Sequence, residues 1–311
     1  MWNFIVWKQL FLYNCIIISA SSVSAKRDLS IFFEHVSPRF HIVGGTPSDP
    51  GSAPYMVALS LGGTVKSFFC GGSLITTETV LTAGHCVEAV HFGGRLIPSL
   101  HGTVGTNHWM RGGVTFGFRG NVTHPQYSHD EIKNDLGMLL AAAPIHLTNL
   151  IQPVPLSYDL IGENVPVKAT GWGKTRANSS PHSEVLIDLY TSTIQSSTCV
   201  LDVQKTAMDL GIYAPPVDPA HEICTFHSPG HGMCNGDSGS ALLRRDSLQQ
   251  VGIVSWGFPC AIGAPDMYTR VSAYRDFIED GKKLPSHFFI RNLQKQQNKN
   301  TQNPDNIFYV P

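Results

Sequence analysis

"HGMCNGDSGSAL" (residues 231–242) places Ser238 between two glycines and directly after an acid, Asp237. A serine in such a stretch is either a polar turn residue or a nucleophile presented on a tight bend. Two details bear on the choice. Gly232, six residues before Ser238, offers no side chain, and the chain continues past Gly239 as Ser240-Ala241. A nucleophilic serine also needs a base, a group that orients the base, and donors for the oxyanion.

The rest of the sequence supplies candidates. "LTAGHC" (81–86) ends a strand-like run at His85, and "NDLGMLL" (134–140) opens an apolar run with Asp135. Each motif alone is commonplace, since an Asp before an apolar run is often a cap and Ser-Gly is often a turn. Their order along the chain is His, Asp, Ser, unlike the Ser-first order of α/β-hydrolases. The G-x-S-x-G elbow also fails, because Ser240 stands where its last glycine belongs.

Composition narrows the setting. A net charge of −1 gives no electrostatic reason for nucleic acid or an anionic membrane as a partner. Residues 1–25 carry one basic residue, Lys8, then an apolar run and the small residues Val23-Ser24-Ala25. They read as a secretory signal peptide, too short and interrupted in its apolar run for a comfortable membrane anchor, so the expected location is extracellular. Of seven cysteines, Cys15 falls in that segment. The other six, Cys70, Cys86, Cys199, Cys224, Cys234 and Cys260, read as three disulfides, with fifteen pairings open. No CxxC or H-E-x-x-H spacing occurs, so neither a metal site nor a cofactor is expected. Asn121-Val122-Thr123 and Asn178-Ser179-Ser180 read as glycosylation sites on surface loops.

Between residues 42 and 280, short Val-, Ile-, Leu-, Phe- and Thr-rich runs alternate with Gly, Pro, Asn and Ser clusters. Examples are 55–61, 71–76, 79–84, 165–172, 241–243 and 251–256, a spacing that predicts an all-β barrel or sandwich. Helical periodicity is expected mainly at 272–283. Residues 285–311 read as a disordered polar tail, and 26–41 as a pro-segment before a domain spanning 42–284.

The ordered motifs make the resemblance specific. "IVGG" (42–45), "CGGSLI" (70–75), "LTAGHC", "NDLGMLL", "ATGWG" (169–173), "CNGDSGSAL" (234–242), "GIVSWG" (252–257) and "PDMYTRVSAY" (265–274) resemble the chymotrypsin-fold serine proteases. Arthropod chymotrypsins look most similar. The resemblance implies two antiparallel six-stranded β-barrels packed face to face, a C-terminal helix, and the pairs Cys70–Cys86, Cys199–Cys224 and Cys234–Cys260. It assigns Ser238 as nucleophile, His85 as base, Asp135 as the orienting acid, and the N–H groups of Gly236 and Ser238 as oxyanion donors.

The resemblance also implies a zymogen in which a new amino terminus at Ile42 pairs with Asp237. His41 stands before that bond where a basic residue is usual, and Arg39 lies too early to yield Ile42. The expected activator is therefore a chymotrypsin-like protease or the chain itself. Gly232 falls at the floor of the primary pocket, where trypsins carry an acid. Gly257 forms one wall, Asp266 stands on another where glycine is usual, and Ser255, Trp256 and Gly257 would pair with the substrate backbone. Large apolar side chains before the scissile bond are the expected preference. Broad or basic specificity through Asp266 is the first alternative, and a weakly active homologue serving as a binding module is the second. Partners are expected to be protein or peptide substrates, an activating protease and protein inhibitors, with the chain monomeric. Ser240 and Ala241 depart from the family's Gly-Pro, with strain expected at Ser240. Gly84 replaces the usual Ala beside His85, at some cost in rigidity.

Overall fold

The strands form where β-branched and aromatic residues alternate inward between turn-forming glycines, and each barrel closes because its strands bend at bulges. The computed structural model describes residues 44–63, 65–174, 182–258 and 261–283. In the first barrel, Met56–Leu61 pairs with Ser67–Leu74, which pairs with Thr79–Thr82, then Gly137–Ala141, Val114–Thr123 and Leu100–Val104. Leu100–Val104 returns to Met56–Leu61 and closes the ring. Register shifts at Leu59/Ser60 and Phe118/Gly120 supply local bends.

The second barrel runs Ile187–Thr193, Pro166–Gly171, Ala241–Arg244, Gln250–Gly257, Asp266–Arg270 and Glu222–Phe226. It closes where Ser192 pairs with Phe226, and Thr46–Pro47 adds an outer strand against Ile187 and Asp188. The expected pair of six-stranded barrels is therefore present.

Burial of alternate side chains drives each closure. Val57, Leu59, Leu74, Val80, Leu81 and Leu139 are buried in the first barrel, and Val167, Ala169, Leu242 and Tyr268 in the second. Ala241, Leu243 and Ile253 turn the other way and join the first barrel's apolar cluster, so the seam between barrels is itself a core. A polar tie crosses that seam. Ser73 Oγ donates to Gln250 Oε1 at 2.7 Å, and Gln250 Nε2 donates to the Gly252 carbonyl at 3.0 Å.

Helix content differs from the sequence expectation. The C-terminal helix is Arg275–Lys282, preceded by a 3₁₀ turn at Val271–Tyr274. A longer helix, Ser196–Leu210, was not anticipated. Its buried face is only Cys199, Val203 and Ala207, four residues apart, while Leu201 and Met208 face outward and blur the periodicity. The left-handed Gly211 (φ 66°) that ends it was the readable signal. Cys70–Cys86 and Cys199–Cys224 are bonded as implied by the resemblance. Cys234 is disulfide-bonded as well, while Cys260 lies outside the described residues. So do the signal and pro-segments, Ile42, Asn178 and the polar tail. Asn121 sits half-buried in the strand Val114–Thr123, not in a surface loop.

Replacing Gln250 by Ala leaves the Ser73 hydroxyl and the Gly252 carbonyl without their partner and opens a void at the seam. The expected loss is about 2–4 kcal/mol in urea-induced unfolding. A loss below about 0.5 kcal/mol would remove this tie from the account of how the barrels hold together.

Candidate active site

His85 rides on a five-residue helix, Gly84–Glu88, that follows the strand Thr79–Thr82 directly. Asp135 enters from the segment before Gly137–Ala141, a neighbour of that strand. His85 Nδ1–H donates to Asp135 Oδ2 at 2.9 Å, and the His85 backbone N–H donates to Oδ1 at 2.9 Å. A carboxylate only accepts, so this geometry puts the ring proton on Nδ1 and leaves Nε2 as the basic nitrogen.

The second barrel completes the acid's surroundings. Ser255 Oγ–H donates to Asp135 Oδ2 at 2.6 Å, and Thr269 Oγ1–H donates to the Asp135 carbonyl at 2.7 Å. Ser255 can reach because the pairing of Gln250–Gly257 with Asp266–Arg270 bulges between Val254 and Trp256. Asp135 is 2% exposed. Burial alone would push its carboxyl up, but the His85 charge and the donated bonds outweigh burial and hold it below the usual aspartate range. The acid is therefore ionised at neutral pH, and the stability it contributes is lost only as pH falls through that lowered value.

Backbone angles just before the acid are unusual. Ile132 and Asn134 have φ of 47° and 52°. Left-handed backbone is costly for a β-branched residue such as Ile132 and persists only where surroundings enforce it. Here they do. Ile132 is buried against Trp256 and Cys199, while Asn134 Oδ1 accepts from Tyr274 and its Nδ2–H donates to the Gln126 carbonyl.

Ser238 lies on the other side of the seam and is 8% exposed. The Gly71 N–H donates to its carbonyl at 2.8 Å, and the Gly239 N–H donates to Val254 at 2.8 Å. A Cβ at Gly239 (φ 81°) would stand 2.2 Å from Thr82 Oγ1 and 3.1 Å from the Ala83 nitrogen, so Ser238's neighbour packs directly on the approach to His85. Cys234 to Asp237 form a turn closed by an N–H···O bond of 2.9 Å, with Gly236 at φ 93°. That angle is the one a type II turn demands of its third residue. Among the described residues, the N–H groups of Gly236 and Ser238 donate no hydrogen bond.

Asp237 is fully buried, and its carboxylate accepts the N–H groups of Gly173 at 2.8 Å and Cys234 at 3.0 Å. Its expected partner, Ile42, lies outside the described residues.

The pocket residues fall close together. A Cβ at Gly232 would stand 3.2 and 3.4 Å from the Asp266 carboxylate oxygens, and one at Gly257 would stand 3.5 Å from Oδ1. The carboxyl thus occupies the space between the two glycines. Trp256 is turned away from it, its indole N–H donating to Glu222 at 2.8 Å. Pairing of Gln250–Gly257 with Ala241–Arg244 runs to Ile253, and Val254 then exchanges bonds with Gly239 and Ser240.

Two expectations change. Ser240 takes no left-handed angle, so the predicted backbone strain is absent. Its side chain instead fills space left by glycine: a Cβ at Gly71 would stand 2.1 Å from Ser240 Oγ, and one at Gly171 3.2 Å away. Gly84 likewise makes room, since a Cβ there would stand 3.0 Å from the Tyr127 ring and 3.2 Å from Asp135 Oδ1. Sequence reading missed Thr269, Tyr127 and His182. The His182 ring lies against Gly236, where a Cβ would stand 2.5 Å away, and stacks edge-on to Phe68 at 5.2 Å. Burial, then nearby Lys174, push its imidazole down to about 4, so it is neutral at physiological pH.

Substituting Gly71 by Ala should cost about 1–3 kcal/mol and lower the melting temperature, because the methyl meets Ser240 Oγ. Ser240→Gly in the same chain should recover most of the loss. A double variant no more stable than Gly71→Ala would show that Ser240 is not the obstacle.

Comparison with known proteins places this geometry. The family model described as Trypsin matches residues 42–278. The chain is similar to chymotrypsin-2 of Vespa crabro, at 33% identity over 76% of this chain and 98% of the relative. It is also 33% identical to the lectizyme of Glossina austeni over 85% of this chain and 94% of that protein. To a trypsin of Phaedon cochleariae it is 29% identical, over 80% and 91%. With two closed barrels, a histidine–aspartate pair at their seam and a matching sequence model over most of its length, this chain belongs to the trypsin family of serine proteases.

Proposed function

We propose that the chain is a secreted serine endopeptidase, made as a zymogen, that cleaves peptide bonds after large apolar residues. The observation that carries the reading is the buried, ionised Asp135 holding His85 in the tautomer with a basic Nε2. In the reaction, Ser238 Oγ attacks the scissile carbonyl while His85 Nε2 takes its proton. The tetrahedral oxyanion is met by the N–H groups of Gly236 and Ser238, and the C–N bond breaks as His85 returns the proton to the leaving amine. Water then repeats the sequence on the acyl-enzyme, releasing the acid and restoring Ser238. Asp135 stabilises the imidazolium formed in each half, and Ser255 and Thr269 hold that acid in place.

Gly232 supports the apolar preference, because an arginine meeting a floor without an acid would bury an unpaired charge. The carboxyl of Asp266, lying between Gly232 and Gly257, favours a second reading in which arginine and lysine are also accepted. Activation by cleavage before Ile42 fits the full burial of Asp237, because a carboxylate taken out of water is costly unless a positive charge is paired with it.

With chain cleaved between His41 and Ile42, a fluorophosphonate probe should label wild type and not Ser238→Ala. Asp135→Asn should keep the fold and lose about 10⁴ in kcat, the size of loss known for this substitution in the family. Phe, Tyr and Leu amides should turn over faster than Arg amides at mildly acidic pH. Absence of both labelling and turnover would leave a binding module in place of a protease.

A further inference from the structure

The acid in the expected primary pocket lacks, among the described residues, the donors that would hold it as a fixed anion. We propose that Asp266 sets side-chain selection by pH: protonated, it admits large apolar side chains, and ionised, it admits arginine and lysine. The proposal rests on the reading of Ser238 as nucleophile and of Gly232 and Gly257 as pocket walls.

The geometry comes first. Both carboxylate oxygens of Asp266 face Gly232, and Oδ1 also faces Gly257. No side chain on either glycine separates the carboxyl from whatever enters. Among the described residues, its one hydrogen bond comes from the Met233 N–H, at 3.0 Å to Oδ2. Contrast Asp135, which receives bonds from His85 twice and from Ser255. A carboxylate held by one donor is poorly stabilised as an anion.

Among the described residues, the charged groups on the neighbouring elements hold other partners. Across the sheet, Thr225 and Gly257 pair with Asp266. Glu222, at the far end of the Thr225 strand, binds Lys133 and the Trp256 indole. Tyr268 shares a hydrogen bond with Thr225 and is kept neutral by burial. His231, just before Gly232, directs Nδ1 to Ser228 at 2.9 Å. Asp237 accepts from Gly173 and Cys234. Burial, opposed by the single Met233 donor, pushes the Asp266 carboxyl up to about 7.

The two forms favour different ligands. Below that value the neutral carboxyl costs little to cover with an aromatic ring, whereas a guanidinium would be buried without a counter-charge. Above it the anion pairs with an incoming cation, while an apolar side chain would strip water from a charge and offer nothing in return. Arginine thus holds the proton off the carboxyl, and phenylalanine holds it on.

The test is kcat/KM for two peptide amides that differ only in Arg or Phe before the scissile bond. It is measured from about pH 5.5 to about pH 8.5 on chain cleaved before Ile42. The ratio Arg:Phe cancels whatever pH dependence the two substrates share. It should rise at least about tenfold, with about thirtyfold the ceiling if only Arg cleavage follows the carboxyl and about a thousandfold if Phe cleavage falls as Arg cleavage rises, for one group titrating near neutrality. Asp266→Asn should hold the ratio flat and low across that range, and Asp266→Gly serves if the amide does not fold. Benzamidine, a planar amidinium on an aromatic ring, gives a readout independent of turnover: its binding should tighten over the same range in wild type and in Ser238→Ala, but not in Asp266→Asn. A ratio and a benzamidine affinity that both stay flat in wild type overturn the proposal. Tightening benzamidine without turnover of either amide keeps the pH-dependent pocket and overturns the protease reading instead.

Discussion

One buried carboxylate organises this molecule. Asp135 leaves the first barrel, receives two bonds from His85 of that same barrel, and receives two more from the second: Ser255 at its carboxylate and Thr269 at its carbonyl. An anion with so little exposure is tolerable only while those donors stay in register. The barrels therefore cannot slide along their seam without breaking the bonds that hold Asp135 between them. The left-handed Ile132 and Asn134 show what the chain accepts to bring the acid there, and the Ser255 bulge shows the matching adjustment on the other side.

Much of this was legible in the sequence, for a physical reason. Strands with alternate burial and tight glycine turns leave a period and punctuation that can be read, and nearly every expected run became a strand. The motifs around His85, Asp135 and Ser238 could be read because residue type and local turn are fixed together. Gly236 needs a positive φ, and His85 needs a short helix next to a disulfide. The helix Ser196–Leu210 was opaque because its inward face is narrow and its outward face carries leucines and a methionine. Thr269, Tyr127 and His182 were opaque for a different reason: each acts through a contact across a large sequence separation, with no local pattern to mark it.

Departures from the family pattern gain meaning in pairs. Ser240 looked strained when read as a lone replacement for glycine. In the structure it occupies volume that Gly71 and Gly171 vacate, at the price of a buried hydroxyl that finds no hydrogen-bond partner among the described residues. Gly84 and Tyr127 form a similar pair beside Asp135. Gly232 and Asp266 form a third, in which a carboxyl stands against the space that the glycine leaves open. In each case the space removed at one position reappears at another.

The Cys70–Cys86 bridge joins more than two strands. Cys86 is bonded in sequence to His85, and Cys70 to Gly71, whose N–H holds the carbonyl of Ser238. A single covalent link therefore ties the positions of His85 and Ser238, which come from different barrels. As a disulfide, that link persists only where thiols are not kept reduced, and its reduction would loosen the register of His85 against Ser238.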